Sequence, residues 1–166
     1  KKYGANIILY DRLIESRETI ALNLVKKTGR ILVRPFDDDD IIIGQGTAGL
    51  EIVRELNNKK ITPEVFLCSC SGGGLIAGVS TYLKKFFPDL SIYCVEPENY
   101  DDMKLSLEKG KLISIDTNKP TICDALTVKV AGKKTFSINK ELLNGGLVVS
   151  DNEVKNAIRL LKNELN

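Results

Sequence analysis

The chain has 166 residues, 43% hydrophobic and 28% charged, with a net charge of +2, long enough for one domain with a real core. Near-neutral charge and scattered lysines argue against a nucleic-acid or membrane surface, and no apolar run reaches the ~18 residues of a membrane span. The lack of histidine rules out Ser-His and Cys-His nucleophile systems, which leaves lysine, carboxylates or a cofactor for any acid–base chemistry.

The expected elements alternate between β and α. Ile7 to Tyr10 reads as a short strand, and a helix is expected from about Ser16 to Thr28 with Gly29 as its stop. Ile31-Leu32-Val33 is the next expected strand. Asp37 to Asp40 suit either a solvated charge run or a helix N-terminus. Ile41 to Asn57 carries apolar residues at helical spacing, interrupted by Gly44-Gln45-Gly46-Thr47. Strands follow at Glu64 to Cys68 and Ser91 to Val95, with a helix between them from Leu75 to Phe87 that ends before Pro88. Periodicity is weak from Glu108 to Asn144. Leu147-Val148-Val149 is a final strand, and Ser150-x-x-Glu153 is a capping box that opens a helix to the C-terminus. This alternation implies an α/β fold with a parallel sheet flanked by helices. The chain opens at Lys1 without a methionine or signal peptide and stops inside a helical pattern, so a piece of a longer protein is expected.

The most informative stretch is Cys68-Ser69-Cys70-Ser71-Gly72-Gly73-Gly74-Leu75, between an apolar strand and a helix. Consecutive glycines let successive N–H groups turn towards one point, and the following helix adds unpaired amides and the positive end of its dipole. A phosphorylated ligand is the functional reading; a tight strand-to-helix turn that binds nothing is the structural one. A Walker loop would need Lys-Ser or Lys-Thr where Leu75-Ile76 stands. A dinucleotide fingerprint is disfavoured because Gly72, Gly74 and Gly78 miss the required spacing by one, although Glu96 sits near the expected acidic position. Cys68, Cys70, Cys94 and Cys123 include no second pair at zinc-finger spacing and read as buried free thiols of a cytoplasmic protein.

Several segments, in order, resemble the pyridoxal-phosphate-dependent threonine/serine dehydratases (ammonia-lyases) and serine racemases. They are Tyr3-Gly4-Ala5, Gly44-Gln45-Gly46-Thr47 with Glu51, Ser71-Gly72-Gly73-Gly74-Leu75, Glu96-Pro97, Asp101-Asp102, Thr121-Ile122-Cys123-Asp124-Ala125-Leu126 and Leu147-Val148-Val149-Ser150-Asp151. Ala125 stands where serine racemases usually carry glycine, a departure from the racemase pattern. The resemblance implies a fold type II, tryptophan-synthase-β-like large domain over 41–166, incomplete at its C-terminus, preceded over 1–40 by the last part of the small domain. It implies that Ser71, Gly72, Gly73, Gly74 and Leu75 hold the 5′-phosphate of pyridoxal phosphate through their amides, with the Ser71 hydroxyl as a further donor. Gly44-Gln45-Gly46-Thr47 is expected to serve close helix–sheet packing, and Asp124-Ala125 to run beside the cofactor ring.

The same resemblance implies a cation site of Glu96, the Tyr100 carbonyl and Asp102, an all-oxygen set suited to Mg²⁺ or Ca²⁺. The alternative is that Asp101 and Asp102 only open a helix towards Lys109. The family's cofactor lysine, in a Ser-Phe-Lys-like motif, is expected before residue 1, and the Ser-x-Gly-Asn-His loop and the late serine at the pyridine nitrogen are missing. No catalytic residue is therefore assigned within the chain, and the chain alone is expected to be inactive. The implied parent takes threonine or serine to a 2-oxo acid and ammonia and is expected to be a homo-oligomer. Serine racemase-like or β-replacing chemistry, or a non-catalytic phosphate- or nucleotide-binding module, are the alternatives.

Overall fold

The computed structural model describes residues 2–11 and 14–165 and divides into two compact units, 1–33 and 34–166. Among the described residues, the first unit contains one helix, α1 (Arg17–Thr28). Its limits are local: the Ser16 hydroxyl accepts the Thr19 N–H at 3.2 Å, and Gly29, at φ 69°, donates to the Val25 carbonyl. Ile8 and Tyr10 face Ile20, Ala21 and Leu24 of this helix. The expected strands at Ile7–Tyr10 and Ile31–Val33 are not formed. A strand exists only by pairing, and no described residue offers either segment a ladder partner; Ile31 and Val33 remain 92% and 73% exposed.

The second unit runs α2 (Asp39–Lys59), β1 (Val65–Ser69), α3 (Gly74–Phe86), β2 (Ser91–Pro97), α4 (Asp102–Lys109), a 3₁₀ turn (Asp124–Leu126), α5 (Lys133–Leu142), β3 (Gly145–Val149) and α6 (Asp151–Glu164). The three strands form a parallel sheet in the order β1-β2-β3, with Val65 opposite Ser91 and Tyr93 opposite Gly145. β2 is central, and its Ile92 and Cys94 are fully buried with Ile76, Leu83, Leu90 and Met103. The four cysteines are free, with Cys68, Cys70 and Cys94 buried as expected. No helix among the described residues is long and apolar enough to cross a membrane.

The acid run is a helix start: the Asp38 carboxylate accepts the Asp40 N–H at 3.0 Å, and Asp39 and Asp40 fill the first turn of α2. The helix then continues unbroken through Gly44-Gln45-Gly46-Thr47. These glycines do not serve helix–sheet packing as expected. Gly44 faces open space, whereas Gly46 belongs to a seam between α2 and α3, in which a Cβ at Gly78 would collide with the Ile42 carbonyl and one at Gly49 would lie 2.9 Å from the Val79 carbonyl. Backbone packs on backbone there, which fixes α3 beside the sheet.

Candidate functional site

β1 delivers the chain to the glycine loop. Beyond its last ladder position, Cys70 donates to the Val95 carbonyl at 2.8 Å, and the chain then leaves the sheet. Gly73 turns it with φ 89° and ψ 2°, a left-handed conformation that disfavours any side chain, and α3 begins at Gly74. A Cβ at Gly73 would lie 2.6 Å from Met103 Cε and 2.8 Å from Asn139 Nδ2. Phe36 lies against Gly72 and Gly74 on another side of the loop. Room for side chains is therefore absent as well as unneeded.

The loop's carbonyls and amides are treated differently. The Gly72 carbonyl accepts from Thr135 Oγ1 at 2.6 Å and from the Gly132 N–H at 3.3 Å; the Gly73 carbonyl accepts from Asn139 Nδ2 at 3.2 Å and from the Ala77 N–H at 3.0 Å. Among the described residues, no acceptor takes the N–H of Ser71, Gly72, Gly73, Gly74 or Leu75. The first turn of α3 has no acidic side chain and no side-chain cap. Ser71 Oγ accepts a long bond from the Val128 N–H, 3.4 Å, which leaves its own proton available. All five expected residues thus lie at one helix N-terminus with donors unused, an arrangement that fits a phosphate group.

Glu96 and Asp102 meet at the junction of β2 and α4, both fully buried. Glu96 caps the helix: its Oε1 accepts the Met103 N–H at 3.0 Å and its Oε2 the Lys104 N–H at 2.8 Å, whereas Asp101 makes no side-chain cap. Burial pushes the Glu96 carboxyl up to about 8, against the lowering effect of those two amides, with Asp102 and Asp101 adding repulsion. Burial likewise raises Asp102 to about 7. The amides of Asp102 itself and of Ala131 pull the other way, but neither Asp102 oxygen has a hydrogen-bond partner. Nor does any described donor reach the Tyr100 carbonyl; Tyr100 donates its N–H to Pro97 and its hydroxyl to the Lys119 carbonyl at 2.9 Å. Two unpartnered carboxylate oxygens, and a carbonyl two residues earlier that no described donor reaches, are oxygen groups of the type a small cation takes, although among the described residues no cluster of three or more Cys, Asp and Glu side chains is arranged around one point.

Asp124 opens the 3₁₀ turn, and its carbonyl accepts from Thr127 Oγ1 at 3.1 Å. The preceding residues are tied to α6, with Asp151 Oδ1 accepting from Thr121 Oγ1 at 2.6 Å. Sequence reasoning missed Thr135, Asn139 and Phe36. The only signal for the first two was a polar pair at i, i+4 beside Phe136, within a stretch of weak periodicity.

A family model described as pyridoxal-phosphate dependent enzyme matches residues 1–165, and the chain belongs to that family. It is 35% identical over 161 residues to the L-threonine ammonia-lyase of Thermotoga maritima, covering 97% of this chain and 39% of that protein. It is 36% identical to the serine racemase of Schizosaccharomyces pombe, covering 96% and 48%. Among solved structures, the processed threonine deaminase isoform 2 of Solanum lycopersicum superposes with a TM-score of 0.81 at 36% identity, covering 89% of this chain and 42% of that one. Maize serine racemase gives 0.87 at 32%, covering 96% and 47%. The α/β architecture is that of the fold type II enzymes, and the chain spans less than half the length of these relatives.

Proposed function

We propose that the chain is part of an enzyme that converts threonine or serine to a 2-oxo acid and ammonia, this part supplying the phosphate-binding loop. The observation that carries the reading is the row of five unpartnered amides at the N-terminus of α3. Ser71, Gly72, Gly73, Gly74 and Leu75 would hold the 5′-phosphate of pyridoxal phosphate, and the dipole of α3 would offset its charge. The chemistry gained when pyridoxal phosphate is bound is an electron sink at the amino acid's α-carbon. The loop anchors and orients the group, with Phe36 shielding the Gly72 side. We assign residues 1–40 to the small domain and 41–166 to the large domain of a cytoplasmic, homo-oligomeric parent. Dehydration is preferred over racemisation because Ala125 replaces the glycine usual in racemases.

Calorimetric titration of the purified chain tests the reading. Binding of pyridoxine 5′-phosphate without binding of pyridoxine is expected; equal responses to the two, or none, would remove the phosphate loop. With pyridoxal phosphate and threonine or serine, the chain by itself is expected to release no 2-oxo acid. Turnover by the chain alone would show that its own lysines suffice.

A second reading, favoured by the orphaned Asp102 oxygens, is that Glu96, the Tyr100 carbonyl and Asp102 hold Mg²⁺ or Ca²⁺. A cation there would neutralise two buried acids and pin the start of α4 to the end of β2.

A further inference from the structure

Thr135 and Asn139 lie one turn apart on α5, and both are fully buried. Neither is on the glycine loop, yet both donate to its carbonyls, to Gly72 at 2.6 Å and to Gly73 at 3.2 Å. In a trans peptide the C=O and the following N–H point in opposite directions within one plane. Anchoring the Gly72 carbonyl on α5 therefore aims the Gly73 N–H away from α5. Anchoring the Gly73 carbonyl does the same for the Gly74 N–H. Glycines impose no such orientation themselves, because their peptide planes rotate freely.

From this geometry we infer that Thr135 and Asn139 are the positioning residues of the anion site, preorganising the Gly73 and Gly74 amides before any ligand arrives. The inference rests on the loop being a phosphate site. α5 is suited to the task because it is itself held: the Asp37 carboxylate accepts the Lys134 N–H at 2.8 Å and the Thr135 N–H at 3.4 Å. The Thr135 hydroxyl has a single proton, and of the two carbonyls in its reach Gly72 is the nearer at 2.6 Å, with Gly132 at 3.1 Å. Asn139 supports a role beyond packing. Its Oδ1 is buried without a partner, so an amide there carries a desolvation cost that an apolar side chain of the same size would avoid. The reverse amide orientation would set Oδ1 against the Gly73 carbonyl.

The test is a titration of the ¹⁵N-labelled 166-residue chain with pyridoxine 5′-phosphate, which has the phosphate but no aldehyde to react with lysine, against pyridoxine as control. In the wild-type chain the Gly73 and Gly74 amide resonances are expected to move with the phosphate ester only. Absence of that response would overturn the phosphate-site reading itself. Given the response, Thr135→Val should weaken binding about fivefold, the share of one buried neutral hydrogen bond, and Thr135→Ser should restore it. Asn139→Leu should weaken binding similarly while leaving the melting temperature unchanged or higher, an opposition that a merely structural role would not produce. Wild-type affinity in both Thr135→Val and Asn139→Leu would refute the positioning role while leaving the phosphate site intact. Should Thr135→Val fail to fold, wild-type affinity in Asn139→Leu is enough to refute it.

Discussion

Replacing Gly73 by alanine asks the loop to accept two separate costs. The first is conformational: at φ 89° an L-residue loses about 1–2 kcal/mol relative to glycine. The second is steric. The new Cβ would lie 2.6 Å from Met103 Cε, 2.8 Å from Asn139 Nδ2 and 3.1 Å from Thr135 Oγ1. Met103 can move its flexible end, but Asn139 and Thr135 can retreat only by releasing the loop carbonyls. Crowding of that kind adds about 1–3 kcal/mol, for a total of about 2–5 kcal/mol. Gly110 provides an internal control in the same unit. It has a similar φ, 66°, and its nearest neighbour is Lys140 Nζ at 4.0 Å, so Gly110→Ala should show the conformational cost alone. Urea denaturation of the two variants, followed by circular dichroism, gives the difference directly. Equal destabilisation by Gly73→Ala and Gly110→Ala would mean that the wall built by α5 and Met103 is not rigid, and the geometric account of the loop would fail.

Further outcomes are expected at the acidic junction and around α5. Glu96 and Asp102 have carboxyl pKa values raised to about 8 and about 7, above those of the unfolded chain. Their contribution is whole below about pH 4 and is lost as pH rises through 7 to 8, because the folded state then holds protons that the unfolded state has released. Stability in chelator should therefore fall from pH 5 to pH 8, by up to about 1.4 kcal/mol per pH unit per group, and Asp102→Asn should flatten the fall; a slope unchanged by Asp102→Asn would contradict the burial account. Millimolar Mg²⁺ or Ca²⁺ should raise the melting temperature at pH 8, with about 2.7 kcal/mol gained at a hundred times Kd, and Asp102→Ala should abolish the rise; indifference to cation and chelator would leave Asp102 as a helix-start residue only. Asp37→Ala should cost about 1 kcal/mol in urea denaturation through loss of the α5 amide contacts, and a neutral result would show those contacts to be replaceable by water.

What was legible in the sequence follows from how local each signal is. Ser16 and Gly29 bound α1, and the Ser150–Glu153 box opens α6, because capping is settled within four residues. The turn at the glycine loop was equally plain, since three glycines between an apolar strand and a helix mark a tight strand-to-helix passage. Ile7–Tyr10 and Ile31–Val33 misled because apolar β-branched residues report only the wish to be covered, whereas a strand depends on a neighbour elsewhere. Gly44-Gln45-Gly46-Thr47 read as a break because low helix propensity is visible in sequence and a facing helix is not. Thr135 and Asn139 were hidden for a related reason: they put hydrogen-bond donors where the helix pattern calls for apolar residues, which erased the periodicity that would have revealed α5. Glu96 was recognisable as an acid at a strand end, but its grip on the Met103 and Lys104 amides belongs to the folded junction alone.

The backbone seam between α2 and α3 makes Gly46, Gly49 and Gly78 the set-screws of an aiming device. At these glycines carbonyls of one helix approach the backbone of the other, with only the Cβ atoms of Tyr82 and Gln45 beside them, and α3 has little freedom to roll or slide. The bearing of its first amides is thus calibrated from about one helical turn behind the loop, at Gly78 and its α2 neighbours, and not at the anion site itself. One methyl group added at the seam would swing that bearing without touching a single donor, so affinity could drift in variants whose loop is unchanged atom for atom.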